Sequence, residues 1–417
     1  MTSRKVRIFS WGLYDFANTM FSMNVVSLYF ALWVVKDMGG TELMVGASRA
    51  AAMLFVAMTM PLAGAIADRF GLRMPLVMLF TLLCCLGTAG IGIAPDLTLG
   101  LLFFALSVYT YQAALVFYNA LLPEVAEGKN LGRISGFGVS LGYLGSIAGM
   151  LMVKPFVGSG ESFSRQDAFL PTAALFLLFS LPFFLFVRDS HKLPIKNLWE
   201  KTKDAWGKLR VALTHSQAYP GVRRFLLGRF FIIDAMETMI GFMSLYLVEV
   251  GGFSQERSLF FGLDEVVFFF VISTTFAVGG AYFWGMGVNR FGPKKVLLGV
   301  VLLWLLTILL AIVSPRGGFW IVGPLAGLCI GGIWTSDRPL LIGLVKDEKV
   351  MAEFFGLYAL SGRLAAVVGP LMWGLVIELG KPLGALKYRL AAASVLSMML
   401  LGYLILRKVP DVNERLA

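Results

Sequence analysis

Twelve long apolar runs, divided by short segments holding most of the charged residues, constrain this chain more than any other feature. They lie near 8–35, 43–66, 75–94, 97–119, 134–154, 169–187, 225–248, 262–287, 295–314, 318–343, 354–378 and 388–406. A run of roughly 20 residues, rising 1.5 Å each, crosses the hydrocarbon core of a bilayer. With no water there, every backbone N–H and C=O must find a partner inside the chain, so only helices or a closed barrel can span it. These runs are continuous, and far longer than the ~10-residue strands of a barrel. The expected fold is therefore an all-α membrane protein of twelve transmembrane helices. Composition agrees: 58% of residues are hydrophobic and 15% charged, against about a quarter charged in soluble domains.

Several function classes drop out at once. Cys84, Cys85 and Cys329 sit in apolar runs, with no disulfide framework and no CxxC pattern. The two histidines, His191 and His215, fall in the central polar segment, so the membrane holds no histidine relay or histidine metal site. No metal or cofactor is expected. The chain lacks a GxxxxGK(S/T) phosphate loop, and no histidine lies near its membrane hydroxyls, so neither ATP drive nor an enzyme is supported. Arg4, Lys5 and Arg7 before the first run resemble a signal-peptide start. That run is too long for one, and Asp15 interrupts it.

The net charge of +11 reflects topology and not nucleic-acid binding. Of the 36 Lys and Arg residues, 24 fall in the tails and alternate loops of one side and 8 on the other, leaving Arg49, Arg229, Arg338 and Arg363 within spans. The positive-inside rule then puts both termini in the cytoplasm, most naturally at a bacterial inner membrane. Residues 1–187 and 225–417 form two six-helix halves. The linker 188–224 carries Ile195, Leu198, Trp199, Thr202, Trp206, Leu209 and Leu213 at helical spacing, with Lys196, Lys201, Lys203, Lys208 and Arg210 around the rest of the wheel. This suits a helix lying on anionic membrane lipids, or a solvated connector, or both.

The halves repeat. Asp15-Phe-Ala-Asn18-Thr19-Met20 returns as Asp234-Ala-Met-Glu237-Thr238-Met239, and Gly136, Gly142 and Gly149 return as Gly356, Gly362 and Gly369. Gly64-x-x-x-Asp68-Arg69-x-Gly71-x-Arg73 returns as Gly285-x-x-x-Asn289-Arg290-x-Gly292-x-Lys294. Three motifs in one order at nearly one offset mean two parallel repeats, the arrangement of transporters that rock one half against the other. Such halves need no second subunit, so a monomer is expected.

The Gly64–Arg73 motif resembles the loop signature of the major facilitator superfamily, G-x-x-x-D-R-x-G-x-(R/K). The resemblance implies a conformational latch built from Gly64, Asp68, Arg69, Gly71 and Arg73, meeting a basic residue after span four, here Arg133. Asn289 and Arg290 form the second, weaker copy. A narrower likeness follows in Trp11-Gly-Leu-Tyr14-Asp15-Phe-Ala17-Asn18, Asn119-Ala-Leu-Leu122-Pro123-Glu124 and Ser135-Gly136-Phe-Gly138-x-x-x-Gly142-Tyr143-x-Gly145. With Phe354-Phe355-Gly356-Leu357-Tyr358-x-x-x-Gly362-Arg363 and Gly369-Pro370-Leu371, these are similar to the vacuole-effluxer branch along the whole chain. Fungal members of that branch release amino acids from the vacuole, which implies a small-molecule substrate of amino-acid type.

Counting inward at 1.5 Å per residue, Asp15, Asp234 and Asp337 lie about 10 Å deep and Arg363 about 13 Å. Glu237 shares a helix face with Asp234. The superfamily resemblance lines a central cavity with spans one, four, seven and ten. It implies a coupling or substrate site of Tyr14, Asp15, Asn18, Gln112, Asn119, Asp234, Glu237, Asp337, Arg338 and Arg363. Three readings stay open. Asp15 or Glu237 carries a proton, the charges grip the ammonium and carboxylate of a zwitterion, or they form an interhelical ion pair that closes a gate. Asn24 and Tyr29 offer further mid-membrane contacts, and Arg49 is expected to snorkel or to line an outer vestibule. The expected function is alternating-access transport of a small polar or zwitterionic solute, coupled to protons. The alternatives are an amphiphile or lysolipid transporter and a transporter-like sensor that moves nothing.

Overall fold

The computed structural model describes residues 4–125, 131–158, 163–188, 207, 219–255, 259, 262–345 and 348–411. The amphipathic pattern expected of the linker falls almost wholly outside these residues. Among the described residues the regular structure is helical, and twelve helices are long and apolar enough to cross a membrane. They are α1 (Arg4–Asp37), α2 (Glu42–Phe70), α3 (Arg73–Gly92), α4 (Leu97–Ala120), α5 (Leu131–Val157) and α6 (Phe169–Phe186). The second set is α7 (Pro220–Glu249), α8 (Glu265–Phe291), α9 (Pro293–Val313), α10 (Phe319–Leu344), α11 (Glu348–Leu379) and α12 (Leu386–Arg407). The chain separates into two compact units, Met1–Ala205 and Trp206–Ala417, with six of these helices in each.

Local chemistry sets the helix ends. Thr41, Asp96 and Asp264 cap α2, α4 and α8 by accepting the backbone N–H three residues on. Pro220 and Pro293 open α7 and α9, where a missing N–H costs nothing. The repeated loop motif closes α2 and α8 with a glycine. Gly71 has φ +61° and donates to the Ala67 carbonyl, while Gly292 has φ +85° and donates to Val288. A side chain is strained in that region, which explains why both copies keep glycine there.

Within each unit the same pairs of helices pack. In the first, α1 lies against α5 and α6, and α4 against α2 and α3. In the second, α7 lies against α11 and α12, and α10 against α8 and α9. Lipid supplies little hydrophobic drive between helices, so close approach of small residues carries the packing. On α10, Gly323, Gly327 and Gly331 stand four apart against Phe269, Ser273 and Ala277 of α8. A methyl group on Gly327 would strike the Ser273 carbonyl, and one on Gly331 that of Ala277. Gly145 of α5 lies equally tight on the Phe16 carbonyl of α1. Buried hydroxyls mostly bond back along their own helix, as Thr110 does to Leu106 (2.7 Å) and Ser273 to Phe269 (2.8 Å).

One element departs from regular geometry. In α1 the α-helical part Arg4–Phe21 passes into wider π-helical turns over Ser22–Tyr29 and again over Trp33–Asp37. Fully buried Asn24 stands in the first of these. Single π turns inside helices are frequent at functional sites.

Candidate functional site

In the first unit the candidate residues gather where α1 crosses α4 and α5. Asp15 is partly exposed and accepts a bond from Asn18 Nδ2 at 3.3 Å. The absent side chain of Gly142 makes room for it, since a Cβ there would sit 3.2 Å from Asp15 Oδ2. Thr19, one turn on, donates to the Gly142 carbonyl at 2.5 Å and fixes the two helices at that level. On the adjoining face Trp11 stacks on Tyr118 of α4, with centroids 4.8 Å apart and planes 10° from parallel. Tyr118 donates to the Trp11 carbonyl at 3.0 Å. Tyr14 is 1% exposed, its hydroxyl lies 2.7 Å from Thr81 Oγ1, and its ring packs between Tyr118 and Phe183. Tyr14 thus braces the helix crossing. Asn18 is buried beside it, Gln112 is partly exposed, and Asn119 is exposed at the end of α4.

The second unit uses its acids differently. Asp234, the repeat counterpart of Asp15, is fully buried and accepts the Gly369 N–H of α11 at 2.7 Å. A methyl group on Gly369 would collide with both Asp234 Oδ1 and Thr238 Oγ1. Pro370 follows directly and breaks the regular ladder of α11 at this point. Glu237, three residues on from Asp234, remains partly exposed.

Asp337 is 1% exposed and forms a buried ion pair with Arg229 of α7, Nε to Oδ2 at 3.1 Å. Tyr358 of α11 donates its hydroxyl to the same oxygen at 2.5 Å. The Arg229 guanidinium lies 3.6 Å from the Tyr358 ring centroid and also donates to the Tyr358 carbonyl and to Ser361 Oγ, both at 3.1 Å. Three helices therefore meet on one charge pair. Arg338 points to an exposed position beside it, and Arg363 is partly exposed on α11.

The sequence singled out Asp337 but gave Arg229, Tyr358 and Ser361 no part. The available signal was the cost of a charge: an arginine within a span needs an acid within reach. Arg49 differs from expectation too, being 8% exposed where a snorkelling side chain would reach out. In the loop motif Arg73 donates to the Ala120 carbonyl at 3.2 Å and ties the start of α3 to the end of α4. Gly64 is partly exposed near the end of α2, and Asn289 and Arg290 are exposed at the end of α8. The side chains of Asp68, Arg69 and Arg133 lie outside the described residues.

Twelve membrane helices in two six-helix repeats, with ionisable side chains on α1, α7, α10 and α11, define a transporter of the major facilitator fold. A crystal structure of a point variant of the nucleoside transporter NupG is similar in fold, with a TM-score of 0.78 and 13% identity over 97% of this chain and 100% of that one. The model of the vacuole effluxer Atg22-like family matches residues 40–410, and the chain belongs to that family. It is similar to the uncharacterized MFS-type transporter YxiO of Bacillus subtilis, 27% identical over 96% of this chain and 94% of that protein. Autophagy-related protein 22 of Yarrowia lipolytica is 27% identical over 59% of this chain and 46% of its own length. These relatives are transporters or effluxer-like proteins, and the chain is a transporter and not an enzyme.

Proposed function

We propose that this protein moves a small polar or zwitterionic, amino-acid-like solute by alternating access, driven by protons, across a bacterial cytoplasmic membrane. In this reading both termini face the cytoplasm, the protein works as a monomer, and the segment 188–224 links the halves along the lipid surface. The Gly64–Arg73 element with Arg133, and its second copy at Asn289 and Arg290, latch one state.

One observation carries the reading. Each ionisable group within a span costs at least ~2.5–3.5 kcal/mol to insert, so such groups stay where function holds them. Asp15, Glu237 and Arg363 remain partly exposed, and Arg338 is exposed, while Asp234 and Asp337 are sealed in packing. Accessible carboxylates suit an ammonium group, and accessible guanidinium groups suit a carboxylate. A purely structural set of charges has no reason to divide this way. The family's description as effluxers supports the transport direction being set by the cargo gradient and the proton together.

The test uses purified full-length protein in lipid vesicles with an imposed pH gradient and a panel of amino acids and short peptides. The expected result is counterflow of at least one panel solute and its accumulation against a gradient. Absence of counterflow with every panel member refutes the small-solute reading. Gradient-driven uptake that persists undiminished in both Asp15→Asn and Glu237→Gln refutes the role of those carboxylates.

A further inference from the structure

The two oxygens of Asp337 have unequal surroundings. Oδ2 accepts from Arg229 Nε at 3.1 Å and from the Tyr358 hydroxyl at 2.5 Å. Oδ1 is equally buried and has no hydrogen-bond partner. A proton arriving at Oδ1 therefore displaces no hydrogen bond, whereas a proton on Oδ2 would have to displace two. Buried carboxylate oxygens are normally satisfied, and a bare one calls for an explanation.

The partners of Arg229 are distributed just as unequally. Its remaining acceptors, the Tyr358 carbonyl and Ser361 Oγ, both belong to α11, as does the ring beneath it. Only Asp337 holds it to α10. Two residues beyond Asp337 stands Pro339, inside α10, which removes one backbone bond from the ladder and provides a place for the helix to bend.

We propose that Asp337 is the group that carries the coupling proton, taking it on Oδ1, and that Arg229 is the positioning residue it lets go. This rests on the proton-coupled reading given above. The step balances simply. The carboxylate gains one proton from the aqueous phase on one side and becomes a neutral acid. The cluster passes from zero net charge to +1, Arg229 keeps its α11 acceptors, and α10 is released at the Pro339 bend. Loss of the proton to the other side restores the pair.

The other charges around α10 leave this role to Asp337. From α7, Arg229 is the paired group, Asp234 is bound to Gly369 of α11, and Glu237 lies beyond it. From α11 come Tyr358 and Arg363, and on α10 itself Arg338 is adjacent and exposed. The titratable residues of α8 and α9, Glu265, Arg290, Lys294 and Lys295, occupy helix ends, and Glu265 is paired with Arg316. None of them replaces the negative charge when Asp337 is neutral. A buried guanidinium without its counter-ion is unfavourable, so the protonated state drives rearrangement.

The experiment uses full-length protein in lipid bilayers and infrared difference spectra between high and low pH. The expected spectrum contains the carbonyl stretch of a protonated, buried carboxyl group. That band disappears in Asp337→Asn and shifts in Asp337→Glu. Amide hydrogen exchange in 337–344 should rise as pH falls in the wild type. It should lose that pH dependence in Asp337→Asn and in the double variant Arg229→Gln/Asp337→Asn. The double variant removes both charges and guards against misfolding caused by an unpaired arginine. A band or an exchange profile unchanged by these substitutions overturns the assignment. In vesicles, a wild type that accumulates no panel solute under a pH gradient refutes the proton-coupled reading. Accumulation that survives in Asp337→Asn refutes the assignment of Asp337 alone.

Discussion

Replacing Arg229 by methionine gives a direct measure of what holds α7, α10 and α11 together. The side chain is 5% exposed and its partner Asp337 1%, so removing the cation leaves a carboxylate in an apolar interior. Breaking a buried pair from one side costs about 3–5 kcal/mol, because the surviving charge has lost both water and partner. The ring contact at 3.6 Å is lost as well, and desolvated contacts of that kind contribute about 2 kcal/mol. These terms overlap, since both report the same guanidinium, so the expected destabilisation stays near the upper end, about 4–5 kcal/mol. A fully apolar replacement should behave differently. In Arg229→Met/Asp337→Leu/Tyr358→Phe no charge remains, and no hydroxyl is left without an acceptor. Apolar groups of similar volume in place of a buried ion pair are neutral or stabilising, so this variant should fall within about 1 kcal/mol of the wild type. Equilibrium unfolding in mixed detergent–lipid micelles, followed by tryptophan fluorescence, reads both values. A single variant costing less than about 1 kcal/mol, or a triple variant as unstable as the single one, would show that the cluster is not a desolvated ion pair.

Two further outcomes use the same assay. On α11, Gly369→Ala should destabilise by about 1–3 kcal/mol through overpacking, because its methyl group meets Asp234 and Thr238. Gly356→Ala meets nothing within 4 Å and should stabilise by about 0.5–1 kcal/mol through helix propensity; equal effects at the two positions would contradict the packing described. Tyr14→Phe removes a buried bond of 2.7 Å to Thr81 and should cost about 0.5–1.5 kcal/mol, with no loss if the hydroxyl is in fact solvated.

The repeat was legible in the sequence as matched motifs, yet its copies do not use their residues alike. Asp15 lies against Gly142, the first close-packed glycine of α5, and stays partly exposed. Asp234 instead binds the backbone at Gly369, seven residues further along α11 than the counterpart Gly362. Gly362 meets the Arg229 guanidinium. Motif spacing places an acid at a depth on a helix, but it does not say which turn of a neighbouring helix will face it. Gly136 and Gly356 make the same point from the other side, since they belong to the repeated glycine series but have open space around them.

By itself the sequence determined the twelve helices, their division into two repeats and the glycines at the ends of α2 and α8. These follow from constraints acting along the chain: the thickness of hydrocarbon, the need to pair every backbone group, and the backbone angles a tight turn demands. Only the tertiary structure decided which charges are sealed and which stay accessible. Arg229 and Asp337 are 108 residues apart, and nothing along the chain measures that distance. Their pairing depends on how α7, α10 and α11 approach one another, because removal from water makes a counter-ion necessary and packing determines which one is within reach.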